Sequence, residues 1–201
     1  MDGNLPSELS ALTQLLSLDF DSNLNLVGTL PAELGELNLL TSLDVDLNAF
    51  SGPLPESLYQ LTNLEVLDID TNSFSGGLSS SIGNLVNLDV LQIDSNPFQG
   101  PVPSEIGQLE NLRFFTAANT QLTGEILQLL QSQTGLEVLG LGGNDFVGTI
   151  PDFFGNFNNL EVLQLLNNRF SGTFPTSLGN LSNLRKFLSV ITWTQIATSS
   201  F

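Results

Sequence analysis

The sequence predicts an α/β-type solenoid of stacked repeats, with a parallel β-sheet along one face and short return segments along the other. Three regularities carry this expectation. A glycine recurs every 24 residues, at Gly28, Gly52, Gly76, Gly100, Gly124, Gly148 and Gly172. An asparagine precedes most of them at a fixed phase, at Asn23, Asn48, Asn72, Asn96, Asn144 and Asn168. Two residues before each glycine comes an apolar plug: Leu26, Phe50, Phe74, Phe98, Leu122, Phe146 and Phe170.

Within one unit the first element is a strand. In Leu64 to Asn72, Leu67 and Ile69 alternate with Val66, Asp68 and Asp70, so one set faces inward and the other faces solvent. A covalent repeat that adds one strand per turn stacks its strands in parallel, roughly 4.8 Å apart, and the polar sets merge into one surface. The asparagine then closes the strand where the chain turns inward, because an amide can both donate to and accept from buried backbone groups. The five phenylalanines among the apolar plugs are expected to form a stacked internal spine, read as core packing rather than as a cofactor box. The glycine permits a conformation or close approach that a Cβ would obstruct, and the following Leu-Pro or Ile-Pro opens the return segment.

The motif Leu-x-x-Leu-x-Leu-x-x-Asn-x-Phe-x-Gly-x-Leu-Pro resembles the plant-type leucine-rich repeat of receptor-like kinases, receptor-like proteins and polygalacturonase-inhibitor proteins. The resemblance spans residues 3 to about 188. It implies a curved or twisted solenoid with the sheet on the concave side, short 3-10, helical or irregular return segments on the convex side, and ligands bound on the sheet. It does not identify the ligand, because the motif residues are the buried ones.

The domain expected is a leucine-rich-repeat solenoid over 1–188, with a non-repeat tail over 189–201 that folds over the last repeat or is the end of a truncated longer chain. Departures from the pattern are local. Asn23 to Gly28 spans five positions instead of four, which predicts a small bulge. Thr120 stands where the asparagine belongs, predicting a looser or differently bonded turn. Ser79 and Leu127 stand where prolines belong.

Composition narrows the function. Cysteine and histidine are absent, which removes disulfides, thiolate nucleophiles, Ser-His-Asp triads and the usual zinc ligands. No cofactor is expected, and with no cleft motif or sugar-stacking platform an enzyme is not expected either. Net charge is -17, and residues 1–112 hold sixteen acids and no base. Phosphate repulsion disfavours a nucleic-acid partner. No basic segment followed by an apolar run opens the chain and no stretch is long and apolar enough to span a bilayer, so no membrane contact by this chain is expected. Kinase motifs are absent; an attached kinase or membrane segment would belong to a longer product, and the resemblance implies an extracellular or plasma-membrane ectodomain.

The solvent-facing columns are the candidate site. Asp19, Asp44 and Asp68 form one acidic column, and Asp21, Asp46, Asp70 and Asp94 the next. Like charges about 5 Å apart repel by roughly 1 kcal/mol per pair in water, so the array is costly unless it binds something cationic or serves solubility. Phe114, Val138 and Val162, with Gly140, Gly142, Gly143 and Leu166, make the other half of the face apolar or small. The expected partner is a protein or peptide, basic and amphipathic. The alternative is a cation-binding or structural protein whose aspartate array takes calcium, although no EF-hand spacing is present. Asn180-Leu181-Ser182 is the one glycosylation sequon.

Overall fold

A computed structural model describes residues 3–189. The tail expected over 189–201 lies outside these residues except for Ser189. Eight strands, Ser17–Asp19, Ser42–Asp44, Val66–Asp68, Val90–Gln92, Phe114–Thr116, Val138–Gly140, Val162–Gln164 and Lys186–Leu188, pair in chain order into one parallel sheet. The register is the repeat itself: Leu43 pairs with Leu67, Leu67 with Leu91, Leu91 with Phe115. The inward residues of the central strands, among them Leu43, Leu67, Phe115, Leu139 and Leu163, have no exposed surface.

Two small lateral sheets, not foreseen from the sequence, run beside the large one. Val27–Gly28, Ala49–Gly52 and Ser73–Phe74 form the first, and Gly100–Pro101, Leu122–Gly124 and Asp145–Phe146 the second. Five of the seven repeat glycines, Gly28 to Gly124, pair with the next repeat's plug, as Gly52 does with Phe74 and Gly124 with Phe146. All seven have φ between +80° and +98°, which L side chains rarely adopt. The plugs are buried, and the rings stack in two pairs, Phe50 on Phe74 and Phe146 on Phe170.

The return segments are single 3-10 turns, such as Ala32–Glu36, Glu56–Gln60 and Asp152–Asn156, each entered from an extended proline. Ser79 replaces that proline without loss, because its hydroxyl accepts from Ser81 N. The fifth repeat is different: with Leu127 at the proline position, a short α-turn, Ile126–Leu129, takes the place of the 3-10 turn. There Gln133 occupies a core leucine position. It is fully buried, donates to Ile106 O at 3.1 Å, and leaves its own oxygen unpaired.

The asparagines form a ladder. Asn72 donates to Val45 O, Ile69 O and Asp70 O, and its Oδ1 accepts from Phe50 N at 3.0 Å. Asn96 repeats the pattern and accepts from Phe74 N at 2.9 Å. Two rungs are altered. The extra residue of the first repeat is absorbed in a turn in which Leu26 N donates to Asn23 O, rather than in a strand bulge, and Asn48 Oδ1 is left without a partner. Thr120 is fully buried and reaches Ala117 O and Asn144 Oδ1, while Phe98 N turns to Asn96 O instead. A shorter side chain thus spans fewer acceptors, and the neighbouring backbone satisfies itself.

Candidate functional site: the concave sheet

The large sheet presents three columns to solvent. The strand registers place Ser17, Ser42, Val66, Val90, Phe114, Val138, Val162 and Lys186 in the first. Asp19, Asp44, Asp68, Gln92, Thr116, Gly140 and Gln164 form the second. Backbone bonds past the strand ends, such as Ser22 N to Asp46 O and Thr71 N to Asp94 O, carry the alignment on to Asp21, Asp46, Asp70, Asp94, Ala118, Gly142 and Leu166. The expected site residues therefore share one face, with Asp19 and Asp21 exposed and Asp44, Asp46, Asp68, Asp70, Asp94, Phe114, Val138 and Val162 half-buried.

The two acidic columns differ in what they do. Asp19, Asp44 and Asp68 each accept at 3.2 Å from the backbone N–H two residues ahead, of Asp21, Asp46 and Asp70. Asp68 also accepts from Gln92 Nε2 at 2.8 Å. This column is partly structural, since it satisfies a donor where the strand ends. In the other column, Asp46 Oδ1 and Asp70 Oδ1 are shielded from water and unpaired, whereas Asp94 accepts from Ala118 N.

Crowding raises the proton affinity of this patch. Loss of hydration, then repulsion from Asp44, Asp70, Asp21 and Asp19, pushes the Asp46 carboxyl up to about 6. Asp68 is pushed up to about 7 by loss of hydration, with Asp70, Asp44 and Asp46 adding to it against the bond from Asp70 N. Asp44 and Asp94 are raised as well, again chiefly by burial. One oxygen each from Asp44, Asp46 and Asp68 lies within 4.8 Å of the others, the group best placed among the described residues to hold a cation.

Further along, the face changes character. The first column is apolar from Val66 to Val162; Val66 was expected on this face, but neither it nor Val90 was counted among the candidate site residues. They stand two positions before each column-two residue, which is the signal that would have found them. Arg113, in the edge row beside the first column, donates to both oxygens of Asp89 at 2.6 Å and to Glu137 at 3.3 Å, and its guanidinium lies 5.4 Å from the Phe114 ring centre. That clamp restricts the ring. Gly140 and Gly142 leave the second and third columns without side chains next to Thr116 and Ala118. The positive φ of Gly143, +73°, is instead imposed by the turn, since the equivalent residues Thr71, Ser95 and Asn167 adopt it without being glycine. A pocket of about 360 Å³ lined by Thr149, Ile150, Pro151, Asp152, Gly172, Thr173 and Pro175 is away from these columns, on the return side.

The Leucine Rich Repeat family model matches residues 63–85, 135–157 and 159–181. Among solved structures, the chain is similar to the plant peptide hormone receptor RGFR1 in complex with RGF2, at 35% identity and TM-score 0.88 over 92% of this chain and 29% of that one. A TDR receptor shares 34% identity at TM-score 0.90, over 94% of this chain and 32% of its own. The Arabidopsis receptor kinase HAESA, in complex with the peptide hormone IDA and a co-receptor, shares 32% at TM-score 0.88, over 94% and 33%. The chain spans about a third of the length of these structures. No curated protein matches it.

Proposed function

This chain belongs to the plant-type leucine-rich repeat proteins, and we propose that it is a non-enzymatic recognition module that binds a protein or peptide on its concave sheet, as part of a receptor-like protein. The observation that carries this role is the apolar column Val66, Val90, Phe114, Val138 and Val162, which runs unbroken across five strands on the side of the sheet turned away from the core. A continuous apolar strip on a surface is costly in water unless a partner covers it. The sheet's own backbone groups are already paired within the sheet, so recognition falls to side chains.

Beside that strip lie the carboxylates of Asp44, Asp46, Asp68 and Asp70, and residues 1–112 supply no base to neutralise them. The complementary partner is a basic, amphipathic segment, with apolar groups on the valine and phenylalanine column and cationic groups over the aspartates. Of the three similar structures, one is a plant peptide hormone receptor in complex with RGF2, one a receptor kinase in complex with a peptide hormone and one a receptor, which supports a peptide as the partner class. Selection of peptides from a random library on the immobilised protein tests the role. Recovered peptides should combine Lys or Arg with aliphatic or aromatic residues and should lose affinity for Phe114→Ala. Peptides without that bias, binding the variant as well as the parent, would overturn it.

A second role, cation binding, is favoured by the convergence of Asp44, Asp46 and Asp68. A hard divalent ion prefers such oxygens, and binding would raise the melting temperature in calcium. Loss of that rise in Asp46→Asn together with Asp68→Asn would support it, and a melting temperature indifferent to calcium would remove it.

A further inference from the structure

The chain contains a single Asn-x-Ser/Thr tripeptide, Asn180-Leu181-Ser182, and the fold presents it on the return side, away from the recognition sheet. Asn180 is the last residue of the 3-10 turn Thr176–Asn180, which packs against the equivalent turn Asp152–Asn156. Leu181 is 6% exposed and anchors the tripeptide to the core, while Asn180 and Ser182 on either side of it are both exposed. Ser182 N donates to Asn180 O at 2.8 Å, which folds the hydroxyl residue back towards the asparagine.

Most other asparagines are committed to the fold. Asn72, Asn96 and Asn144 are buried in the ladder, and Asn63, Asn87, Asn111 and Asn183 donate to carbonyls of the preceding repeat. Asn180 makes no side-chain hydrogen bond among the described residues. Asn84 and Asn156 share its phase, but Val86 and Asn158 follow where a hydroxyl residue is needed. The free amide and the sequon coincide at one position.

We propose that Asn180 is an N-glycosylation site, modified when the chain enters a secretory compartment. In the transfer, Nδ2 bonds to C1 of an oligosaccharide carried on a lipid pyrophosphate. The C1–O bond breaks, the lipid pyrophosphate leaves with the bonding electrons, and Nδ2 gives up one proton. The sugar extends from the return side and leaves the concave columns open to a partner. This site stands whether or not that partner is a peptide.

The test is translation of the full chain behind a cleavable leader in the presence of endoplasmic-reticulum microsomes, reading only the protease-protected product. The expected result is one upward mobility shift, reversed by peptide N-glycosidase, absent in Asn180→Gln and Ser182→Ala, and retained in Ser182→Thr. Protected chain that runs unshifted would overturn the assignment, and so would a shift that persists in Asn180→Gln. The protected fraction reports modification without requiring any variant to fold.

Discussion

Asp44, Asp46, Asp68 and Asp70 face solvent from the same strand positions that Gly140, Gly142, Gln164 and Leu166 occupy further along the sheet. Beneath both halves the inward residues are the same kind: Leu43, Val45, Leu67 and Ile69 in one, Leu139, Leu141, Leu163 and Leu165 in the other, all essentially without exposed surface. The buried positions repeat because each must fill the same space between neighbouring turns. The outward positions are under no such constraint, so the two halves differ there, and it is on that difference that the proposed recognition rests.

If the core is what the halves share, breaking it should unfold either half alike. Phe98→Ala removes a fully buried plug and should cost about 3–5 kcal/mol, measured by urea denaturation. Asn96→Ala should cost slightly less, about 2–3 kcal/mol, because it strands the buried carbonyls of Ile69 and Ile93 and the N–H of Phe74. A loss below about 0.5 kcal/mol in either would contradict the ladder and plug account.

Changes to the outward columns should separate the halves. Phe114→Ala, on the apolar side, should leave the urea midpoint nearly unchanged while weakening a selected peptide about tenfold in calorimetry. On the acidic side, pH is the probe. Because Asp46 and Asp68 are pushed up to about 6 and about 7, the folded state binds more protons than the unfolded chain. Stability should therefore fall as pH rises from about 4 through 7, and level off above that. Asp46→Asn combined with Asp68→Asn should flatten the melting temperature against pH, and an unchanged pH dependence in that variant would contradict the crowding account. The smallest effect should come from Thr120→Asn, which restores the amide missing from the ladder and should stabilise by about 1 kcal/mol.

Much of this was legible in the sequence because a fixed period dictates strand register: once Gly52 and Gly76 are 24 apart, Asp44 and Asp68 must be neighbours. Alternation within Leu64 to Asn72 then assigned each side chain to a face. What escaped were features with no compositional marker. Leu47 and Thr71 have left-handed backbones, at φ 49° and 48°, because the turn into each asparagine imposes that conformation on residues that do not favour it. Gln133 stands at the phase of Leu109 with no leucine to mark it, and both are buried. The structural duty of Asp19, Asp44 and Asp68 was hidden too, since the bond to the N–H two residues ahead depends on how the strand ends.

The most direct measurement is the affinity of one selected peptide, at low and high salt, for the parent chain, for Phe114→Ala, and for Asp46→Asn combined with Asp70→Asn. A peptide that bridges both halves should bind the parent with marked salt dependence. Phe114→Ala should bind more weakly with the same salt dependence, and the aspartate variant should bind more weakly with little salt dependence left. Equal affinity and equal salt response in all three would contradict the concave face as the recognition surface.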